Sequence, residues 1–437
     1  MKNVLFLSCC IFSFLSSAAT SFPESFDLRN VNGKNYVSSV KNQSGGTCWT
    51  HATMAAIEGN LLLNGTWANN GESGEPNLAE YHLDWWNGFN QHNNPDVTGT
   101  SGLEVHEGGD YRVAAAYLSR GVGVVREVDG QSFSKPPELT KPSYHHYYVR
   151  DIEWMDSGTD LKNINTIKQS LMENGVVGTA LAWEDHLYSG NQFYQPPSDK
   201  SEPNHAVAII GWDDTRKTQA PKNGAWLVKN SWGIYWGTKG YFWISYYDKV
   251  SGQHPEMGAV AFKNTERMQF SKIYSHDTHG WRDTKANVQD AFNAFAATGS
   301  QNGKREVLKA VSFYTTADNV RFLVSIYKKF ENGELGELVS LKDGTISQRG
   351  FHTVDLDSKI YLGNQEKFYV KVSLSQGGHA FDRTSDVPVL LGSKSRVIVP
   401  SKASPGESFY QNQSHWIDLT KDDSSANFCI KALTVVE

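Results

Sequence analysis

Residues 40–59 read VKNQSGGTCWTHATMAAIEG, in which a glutamine and a run of small residues directly precede a cysteine. Beyond the cysteine, apolar side chains recur at spacings of three and four, which predicts a helix over residues 48–63. Thr47 is the predicted N-cap, so Cys48 takes the first helical position. The positive end of the helix dipole favours a thiolate there, which makes Cys48 a candidate nucleophile.

The use of cysteine elsewhere in the chain sets Cys48 apart. The chain has 437 residues and only four cysteines. Two of them lie within residues 1–19, where one lysine, an apolar run and small residues predict a signal peptide and hence a secreted or periplasmic protein. The remaining two, Cys48 and Cys429, are too few for a disulfide scaffold. Cys429 lies in an alternating strand pattern, which is typical of a buried thiol.

Charge and motif content exclude several classes of function. The net charge is −6 and no Lys/Arg run is longer than a pair, so the sequence predicts no nucleic-acid partner. After the leader, no apolar stretch is long enough to span a bilayer. The stretch HEGGD contains His106, Glu107 and Asp110, but no HExxH or CxxC pattern accompanies it. The sequence therefore predicts no metal and no cofactor.

Sequence texture divides the chain behind the leader into two domains. Residues 24–266 mix helical periodicity, including helices predicted over 109–120 and 159–174, with short apolar strands. From residue 267 to 437 helical patterns largely vanish, and short alternating strands are separated by turn-rich pieces. We therefore expect an α+β domain followed by an all-β sandwich.

A histidine and an asparagine in the first domain complete a set of groups suited to thiol catalysis. His205 opens the apolar stretch HAVAIIGW, and Asn230 lies in VKNSWGIYWG, two residues before Trp232. An amide oxygen that accepts from an imidazole N–H fixes the tautomer, and an indole over that bond excludes water. Gln43, shortly before Cys48, offers a side-chain N–H to the oxyanion that the Cys48 backbone N–H also contacts.

At these residues the sequence resembles the papain-like cysteine peptidases. The matching pieces are VKNQ...CW, which includes Trp49, then NHAV...GW and KNSWG..WG..GY, in the same order along the chain. The resemblance implies a two-lobed fold, with a helical lobe and a β-barrel-like lobe, and a Cys48–His205–Asn230 triad. It also implies that Gly108 and Gly109, in EGGD, bind the backbone of an extended substrate.

The sequence departs from the family pattern beside the nucleophile. The segment from Gln43 to Cys48 is one residue shorter than in the family, and it lacks the cysteine whose disulfide usually braces this loop. The placement of Gln43 therefore stays open. His51 stands where the family usually has an aromatic residue, so it is either a competing base or a packing residue.

The C-terminal half resembles the lectin-like β-sandwich that some bacterial papain-like peptidases carry after the catalytic domain. THGW, LKAVSFYTT and FCIKAL carry this resemblance. It raises the hypothesis of carbohydrate binding, with Trp281, Tyr314 and Trp416 stacking on sugar rings. Burial in the core of the sandwich is the alternative for these aromatic residues.

These observations predict a secreted papain-like cysteine endopeptidase that hydrolyses polypeptides. Cys48 attacks, His205 exchanges protons, Asn230 orients His205, Gln43 holds the oxyanion, and Trp49 and Trp232 support the site. Two alternatives stay open at this point. One is a catalytically inactive adhesive or carbohydrate-binding surface protein, and the other is a cysteine transpeptidase that passes the acyl group to an amine.

Overall fold

The structure is a computed structural model that describes residues 22–97, 99, 101–299, 303–388 and 396–437. The signal peptide predicted over residues 1–19 lies outside these ranges and stays a prediction. Within them, every helix is too short or too polar to cross a lipid bilayer.

Helices of the described residues lie mainly before residue 175, as the change in sequence texture predicts. The α-helices are Cys48–Leu63, Thr66–Asn69, Glu80–Trp86, Tyr111–Ser119, Glu127–Gly130 and Ile164–Asn174. Short 3-10 turns occur at Thr159–Leu161, Asp185–Leu187 and Leu419–Lys421.

The helix Cys48–Leu63 has the bounds that its periodicity predicts, but it is buried on all sides rather than on one face. Every residue from Cys48 to Leu61 is buried. Small residues such as Gly59 permit this, because a Cβ there would lie 2.5 Å from a side-chain carbon of Val176. This helix is therefore the central support of the first domain.

The two other predicted helices are shorter than expected, for local reasons. The helix predicted over 109–120 is Tyr111–Ser119, because the side chain of Asp110 caps it by accepting the Val113 N–H at 2.7 Å. The helix predicted over 159–174 is α-helical only in its later part, because the left-handed φ of 56° at Asp160 interrupts its start.

Strands account for most of the remaining structure. Those before residue 270 are Ser25–Asp27, Tyr147–Tyr148, Asp151–Met155, Val177–Leu181, Tyr188–Ser189, Gln192–Phe193, His205–Asp213, Ala225–Lys229, Tyr241–Ser245, Ala259–Lys263 and Glu266–Arg267. Those after it are Lys272–Tyr274, Asp283–Lys285, Asp290–Ala296, Glu306–Thr315, Val320–Glu331, Glu334–Ile346, Gly350–Leu362, Lys367–Leu374, His379–Asp382, Ser385–Pro388, Arg396–Val399, Ser408–Asn412, His415–Asp418, Asn427–Phe428 and Ile430–Val436.

The strand His205–Asp213 organises the first domain. It pairs antiparallel with Val177–Leu181 on one side and with Ala225–Lys229 on the other. The helix Cys48–Leu63 packs against it in one apolar core. Because Ala208 pairs with Lys229, the start of this strand lies beside Asn230, the residue that follows the neighbouring strand.

The second domain is the predicted β-sandwich. Its six-stranded sheet runs from Glu334–Ile346 at one edge to His415–Asp418 at the other. One apolar core joins that sheet to the strands Glu306–Thr315 and Ile430–Val436 of the larger sheet. This arrangement and the helix-plus-sheet domain before it confirm the predicted fold class.

The larger sheet continues from one domain into the other. Strand Gly350–Leu362 of the sandwich pairs antiparallel with Asp151–Met155 of the first domain, so that Phe351 lies opposite Ile152. The sequence texture contains no signal for this pairing, because the paired residues lie about 200 positions apart. The two domains therefore share backbone hydrogen bonds as well as side-chain contacts.

Candidate active site

The nucleophile candidate, Cys48, is the first residue of its helix and is 2% exposed. Thr47 occupies the predicted N-cap position, but its side chain does not cap the helix. Its hydroxyl instead donates to the carbonyl oxygen of Ser44 at 2.8 Å, within the turn that precedes the helix. Gly45 has a left-handed φ of 68°, which this turn requires. The helix dipole therefore acts on Cys48 without help from a side-chain cap.

His205 and Asn230 are brought together by neighbouring strands. Nε2 of His205 donates to Oδ1 of Asn230 over 2.8 Å. Oδ1 of Asn230 also accepts the backbone N–H of Ser231 at 2.8 Å, which fixes the orientation of the amide. Since an amide oxygen only accepts, the proton of a neutral His205 lies on Nε2, and Nδ1 keeps a lone pair. That tautomer is the one a general base needs.

Tryptophan side chains cover the His205–Asn230 hydrogen bond. The ring of Trp232 stacks on that of His205, with centroids 4.4 Å apart and planes at 25°. Trp183 and Trp236 meet Trp232 edge-on at 4.8 and 5.1 Å. His205 is 4% exposed as a result. The indoles keep water from competing for the imidazole proton.

The thiol of Cys48 lies at the start of the strand that His205 opens. Burial raises the pKa of the Cys48 thiol to about 11, while the backbone N–H groups of Ala206, Trp49 and Cys48 lower it. Burial also lowers the pKa of His205 to about 4, against the effect of its hydrogen bond to Asn230. Taken singly, each group therefore favours its neutral form.

Gln43 is held beside Asn230 by its neighbour Ser231. The backbone N–H of Gln43 donates to the Ser231 carbonyl at 2.8 Å, and the Ser231 hydroxyl donates to Oε1 of Gln43 at 2.7 Å. Nε2 of Gln43 then faces the turn before Cys48, where it donates to the Gly45 carbonyl at 3.0 Å. The shortened loop thus keeps the amide nitrogen against the turn that leads into Cys48.

Gly108 and Gly109 do not protrude from the surface, and Gly109 packs against Trp49, the neighbour of Cys48. Both are buried. A Cβ at Gly109 would lie 2.6 Å from the Trp49 indole, so only glycine permits this approach. Gly108 has a left-handed φ of 110°. Their contact with substrate stays a prediction.

His51 is a packing residue, in agreement with the simpler of the two interpretations of the sequence. Its Nδ1 donates to the carbonyl oxygen of Thr47 at 2.8 Å, and its ring meets Tyr81 edge-on at 5.8 Å. Burial lowers its pKa. Its donor group is therefore used within the helix.

A buried charge cluster lies behind the site, and sequence reasoning missed it. Lys41 Nζ is 2.8 Å from a carboxylate oxygen of Glu58 and 2.5 Å from one of Glu80. Lys229 Nζ donates to the Ser38 hydroxyl at 3.0 Å, and that hydroxyl donates to Glu58. The cluster connects the segment before Gln43, the Cys48 helix and the strand before Asn230. The available signal in the sequence was Glu58, a charged residue among small and apolar positions of the predicted helix.

One set of metal-ligating side chains converges among the described residues, at the contact between the domains. Asp96, His279 and Asp382 have ligand atoms within 4.8 Å of one another. The Ser401 hydroxyl donates to Asp96 at 3.0 Å and to Asp382 at 3.3 Å, while Nε2 of His279 donates to the Gly88 carbonyl at 3.0 Å. These hydrogen bonds make the set part of a polar contact between the domains, in which Nδ1 of His279 lies 3.6 Å from Asp96 and has no hydrogen-bond partner among the described residues.

The aromatic residues considered for sugar stacking are mostly unavailable. Trp281 and Tyr314 are buried, at 9% and 2% exposed, because they pack into the core shared with the first domain. Trp416 is half-buried and lies edge-on to Phe292 at 4.8 Å. The stacking role suggested for Trp281 and Tyr314 is therefore wrong.

Comparison with known proteins assigns both halves of the chain to families. Residues 22–260, more than half of the chain, match the model for papain family cysteine proteases, and residues 273–434 match that for a lectin-like domain. The proposed boundary at residue 266 lies between these matches and stays a prediction.

Two curated relatives match about half of this chain. The chain is 27% identical over 238 residues to cysteine protease Amb a 11.0101 of Ambrosia artemisiifolia and 28% identical over 234 residues to pro-cathepsin H of Bos taurus. These alignments cover 52% and 51% of this chain. The chain spans only 52% and 60% of the two relatives.

Solved structures with the same two-domain fold exist. The clostridial cysteine protease Cwp84 after propeptide cleavage superposes with a TM-score of 0.77 at 24% identity, covering 94% of this chain and 99% of that one. The protease and lectin-like domains of Cwp84, described as a surface layer associated protein of Clostridium difficile, give 0.75 at 23% identity, covering 95% and 90%. The motifs, the fold and the family match agree, and the chain belongs to the papain family of cysteine proteases.

Proposed function

We propose that the protein is a secreted cysteine peptidase that hydrolyses peptide bonds through Cys48, His205 and Asn230. The single observation that carries the proposal is the 2.8 Å hydrogen bond from Nε2 of His205 to Asn230 under the Trp232 ring, at the start of the strand where the Cys48 thiol lies. A buried thiol, an imidazole with a lone pair on Nδ1 and a fixed amide are the parts that thiol acyl transfer needs.

The reaction proceeds in two halves. Nδ1 of His205 takes the thiol proton, and the sulfur of Cys48 attacks the scissile carbonyl carbon. The backbone N–H of Cys48 and Nε2 of Gln43 donate to the oxyanion. His205 returns the proton to the leaving amine, which leaves a thioester on Cys48. His205 then takes a proton from a water that attacks the thioester carbon. The C–S bond breaks, the acyl group leaves as a carboxylic acid, and His205 returns the proton to the sulfur of Cys48.

Ionisation of the pair explains how buried neutral groups become reactive. Burial penalises an isolated thiolate or an isolated imidazolium, which is why the pKa of Cys48 is raised and that of His205 is lowered. Transfer of one proton from sulfur to Nδ1 creates both charges together, so each stabilises the other. Activity then follows a bell-shaped pH profile that belongs to the pair.

Export to the periplasm or the exterior is part of the proposal and rests on the leader-like sequence of residues 1–19. Carbohydrate binding by the second domain is the companion hypothesis, supported by the lectin-like family match over residues 273–434. Binding of the full-length Cys48→Ala variant to a glycan array tests the companion hypothesis, and absence of signal rejects it.

A peptide-library digest separates hydrolysis from its two alternatives. Wild-type protein should cleave internal bonds, and Cys48→Ala should lose cleavage. An inactive adhesive protein would cleave nothing, and its Cys48 would react slowly with iodoacetamide below neutral pH. A transpeptidase would join added amines to the acyl fragment. Mass spectrometry of the products with and without amine distinguishes all three outcomes.

A further inference from the structure

The loop over residues 43–47 carries the Gln43 amide and leads into the Cys48 N–H, yet it contains no cysteine with which to form a disulfide. Two adjacent glycines, Gly45 and Gly46, make it intrinsically flexible. An oxyanion site stabilises a transition state only if its donors are fixed in advance. Non-covalent contacts must therefore hold this loop.

Ser231 holds the Gln43 end of the loop and the Tyr81 hydroxyl accepts the Ser44 N–H, while the two glycines contact the backbone of His106. The N–H of Gly46 donates to the His106 carbonyl oxygen over 2.6 Å. A Cβ at Gly45 would lie 2.9 Å from that oxygen and 3.0 Å from the Cβ of His106. The backbone of Gly45 and Gly46 is thus in direct contact with that of His106. The position of His106 therefore determines the position of this part of the loop.

The side chain of His106 is anchored on both ring nitrogens. Nδ1 bonds to a carboxylate oxygen of Asp84, which also accepts the His106 backbone N–H at 3.2 Å. Nε2 donates to the carbonyl oxygen of Phe133 at 2.8 Å. The ring stacks on that of Phe133, with centroids 4.0 Å apart and planes at 18°. These bonds hold His106 at its left-handed φ of 68°.

Both nitrogens face acceptor groups, and this fixes the number of protons. A neutral imidazole with an ionised Asp84 has a single N–H, so one nitrogen lone pair would face an oxygen lone pair. The observed bonds need one proton on Nε2, which donates to Phe133, and a second between Nδ1 and Asp84. Both anchors of the ring therefore form together only while the pair keeps the shared proton, because a single N–H can serve either Asp84 or Phe133 but not both.

Surrounding charges favour retention of that proton. Burial lowers the pKa of His106, but the hydrogen bond and the charge of Asp84 outweigh it, and Glu107 adds to the increase above the usual range. Burial raises the pKa of Asp84, while His106 and the more distant His51 oppose that increase. Tyr81 meets the His106 ring edge-on at 6.0 Å.

We propose that the proton-linked His106–Asp84 pair replaces the missing disulfide as the brace of the oxyanion loop, and so acts as a positioning device for Gln43. The inference rests on the proposed function of Cys48 and Gln43. Above the pH at which the shared proton is lost, two lone pairs face each other, the brace loosens, and the transition state loses a fixed donor. The effect should fall on kcat rather than on KM.

The first test is a double-mutant cycle between His106 and Gln43. His106→Phe keeps the stacked ring and loses both polar anchors, so kcat should fall about tenfold, a part of the ~100-fold that one oxyanion donor contributes. In a Gln43→Ala background the same change should lower kcat by about twofold or less, because the side-chain donor that the brace positions is already absent. Equal losses in both backgrounds would overturn the brace.

The second test uses the pH profile and does not depend on the stability of His106→Phe. In Asp84→Asn the amide N–H can donate to Nδ1 while Nε2 still donates to Phe133, so the brace no longer needs the shared proton. In wild type the alkaline fall of kcat combines loss of the brace with ionisation of the Cys48–His205 pair, so in Asp84→Asn, where only the second effect remains, it should move to higher pH. Glu104→Gln, an exposed change nearby, is the matched control. Coincident alkaline limbs in wild type and Asp84→Asn would overturn the proposal.

The two levels of inference fail in different ways. A wild-type protein that cleaves no peptide, or a Cys48→Ala variant that cleaves normally, overturns the proposed function and the brace with it. The brace alone is overturned if cleavage is normal and depends on Cys48, but the losses of kcat in His106→Phe and Gln43→Ala are additive. It is also overturned if the alkaline limb of the pH profile is the same in wild type and Asp84→Asn. A rise in KM at constant kcat in His106→Phe also overturns it, because that places His106 in substrate binding.

Discussion

The hydroxyl of Ser231 donates to Oε1 of Gln43 over 2.7 Å and so decides which end of the amide faces Cys48. Because Oε1 is engaged as an acceptor, Nε2 points toward the turn at Gly45. Ser231 directly follows Asn230, whose amide orients His205. One short segment therefore orients both the proposed base and the proposed oxyanion donor.

Ser231→Ala should lower kcat less than Gln43→Ala does. The amide of Gln43 would still be present but free to rotate, so we expect a loss of about 3- to 10-fold against ~100-fold for removal of the donor. Steady-state kinetics with one fluorogenic peptide measures both. Ser44→Ala, an exposed change in the same loop, is the control. Equal losses in Ser231→Ala and Gln43→Ala would contradict this view.

His205→Ala should slow the alkylation of Cys48 at low pH. Without an imidazolium partner, burial leaves the pKa of the thiol at about 11, so little thiolate exists near pH 6. The iodoacetamide rate at pH 6 should fall by at least about 100-fold and recover only in alkaline solution. Mass spectrometry of modified Cys48 across pH measures it. An unchanged profile would show that His205 does not promote ionisation of the thiol.

Acid should destabilise the fold through its buried histidines. Burial lowers the pKa of four histidines to about 4, namely His82, His205, His279 and His379. Unfolded histidine titrates near pH ~6.5, so the unfolded state binds more protons between these values, and stability falls as pH decreases through this window. Calorimetry should show Tm falling by at least about 5 °C from pH 7 to pH 4. His379→Gln should flatten the dependence, and a flat wild-type profile would contradict it.

Glu58→Ala should be strongly destabilising. The carboxylate is fully buried, bonds to Lys41 and accepts the Leu78 N–H at 2.9 Å, so its loss leaves buried cations and a donor without compensation. We expect a loss of about 3–5 kcal/mol in the free energy of unfolding, measured by urea denaturation. Glu75→Ala, at an exposed position that contacts Ser39, should change stability little. A similar small change in Glu58→Ala would mean that the cluster relaxes without it.

Much of the fold was predictable because its signals are local. The helix Cys48–Leu63 follows from periodicity and a small-residue turn, and the strand His205–Asp213 from an apolar run, which depend on residues close in the chain. The residue types and chain order of Cys48, His205 and Asn230 could also be predicted, because few residue types can act as nucleophile, base and orienting group in thiol catalysis. The later starts of the helices beginning at Tyr111 and Ile164 could not be predicted, because the Asp110 cap and the left-handed residue Asp160 determine them.

The sequence by itself determined the candidate chemistry, the order of the domains and the main elements, because each depends on residue type or short-range pattern. Only the tertiary structure decided the His205–Asn230 bond, the contact of Gly46 with His106 and the sheet pairing of Phe351 with Ile152. Those contacts join residues distant along the chain, so packing selects them. Burial, which only the folded chain creates, then sets the charge states of the groups that they bring together.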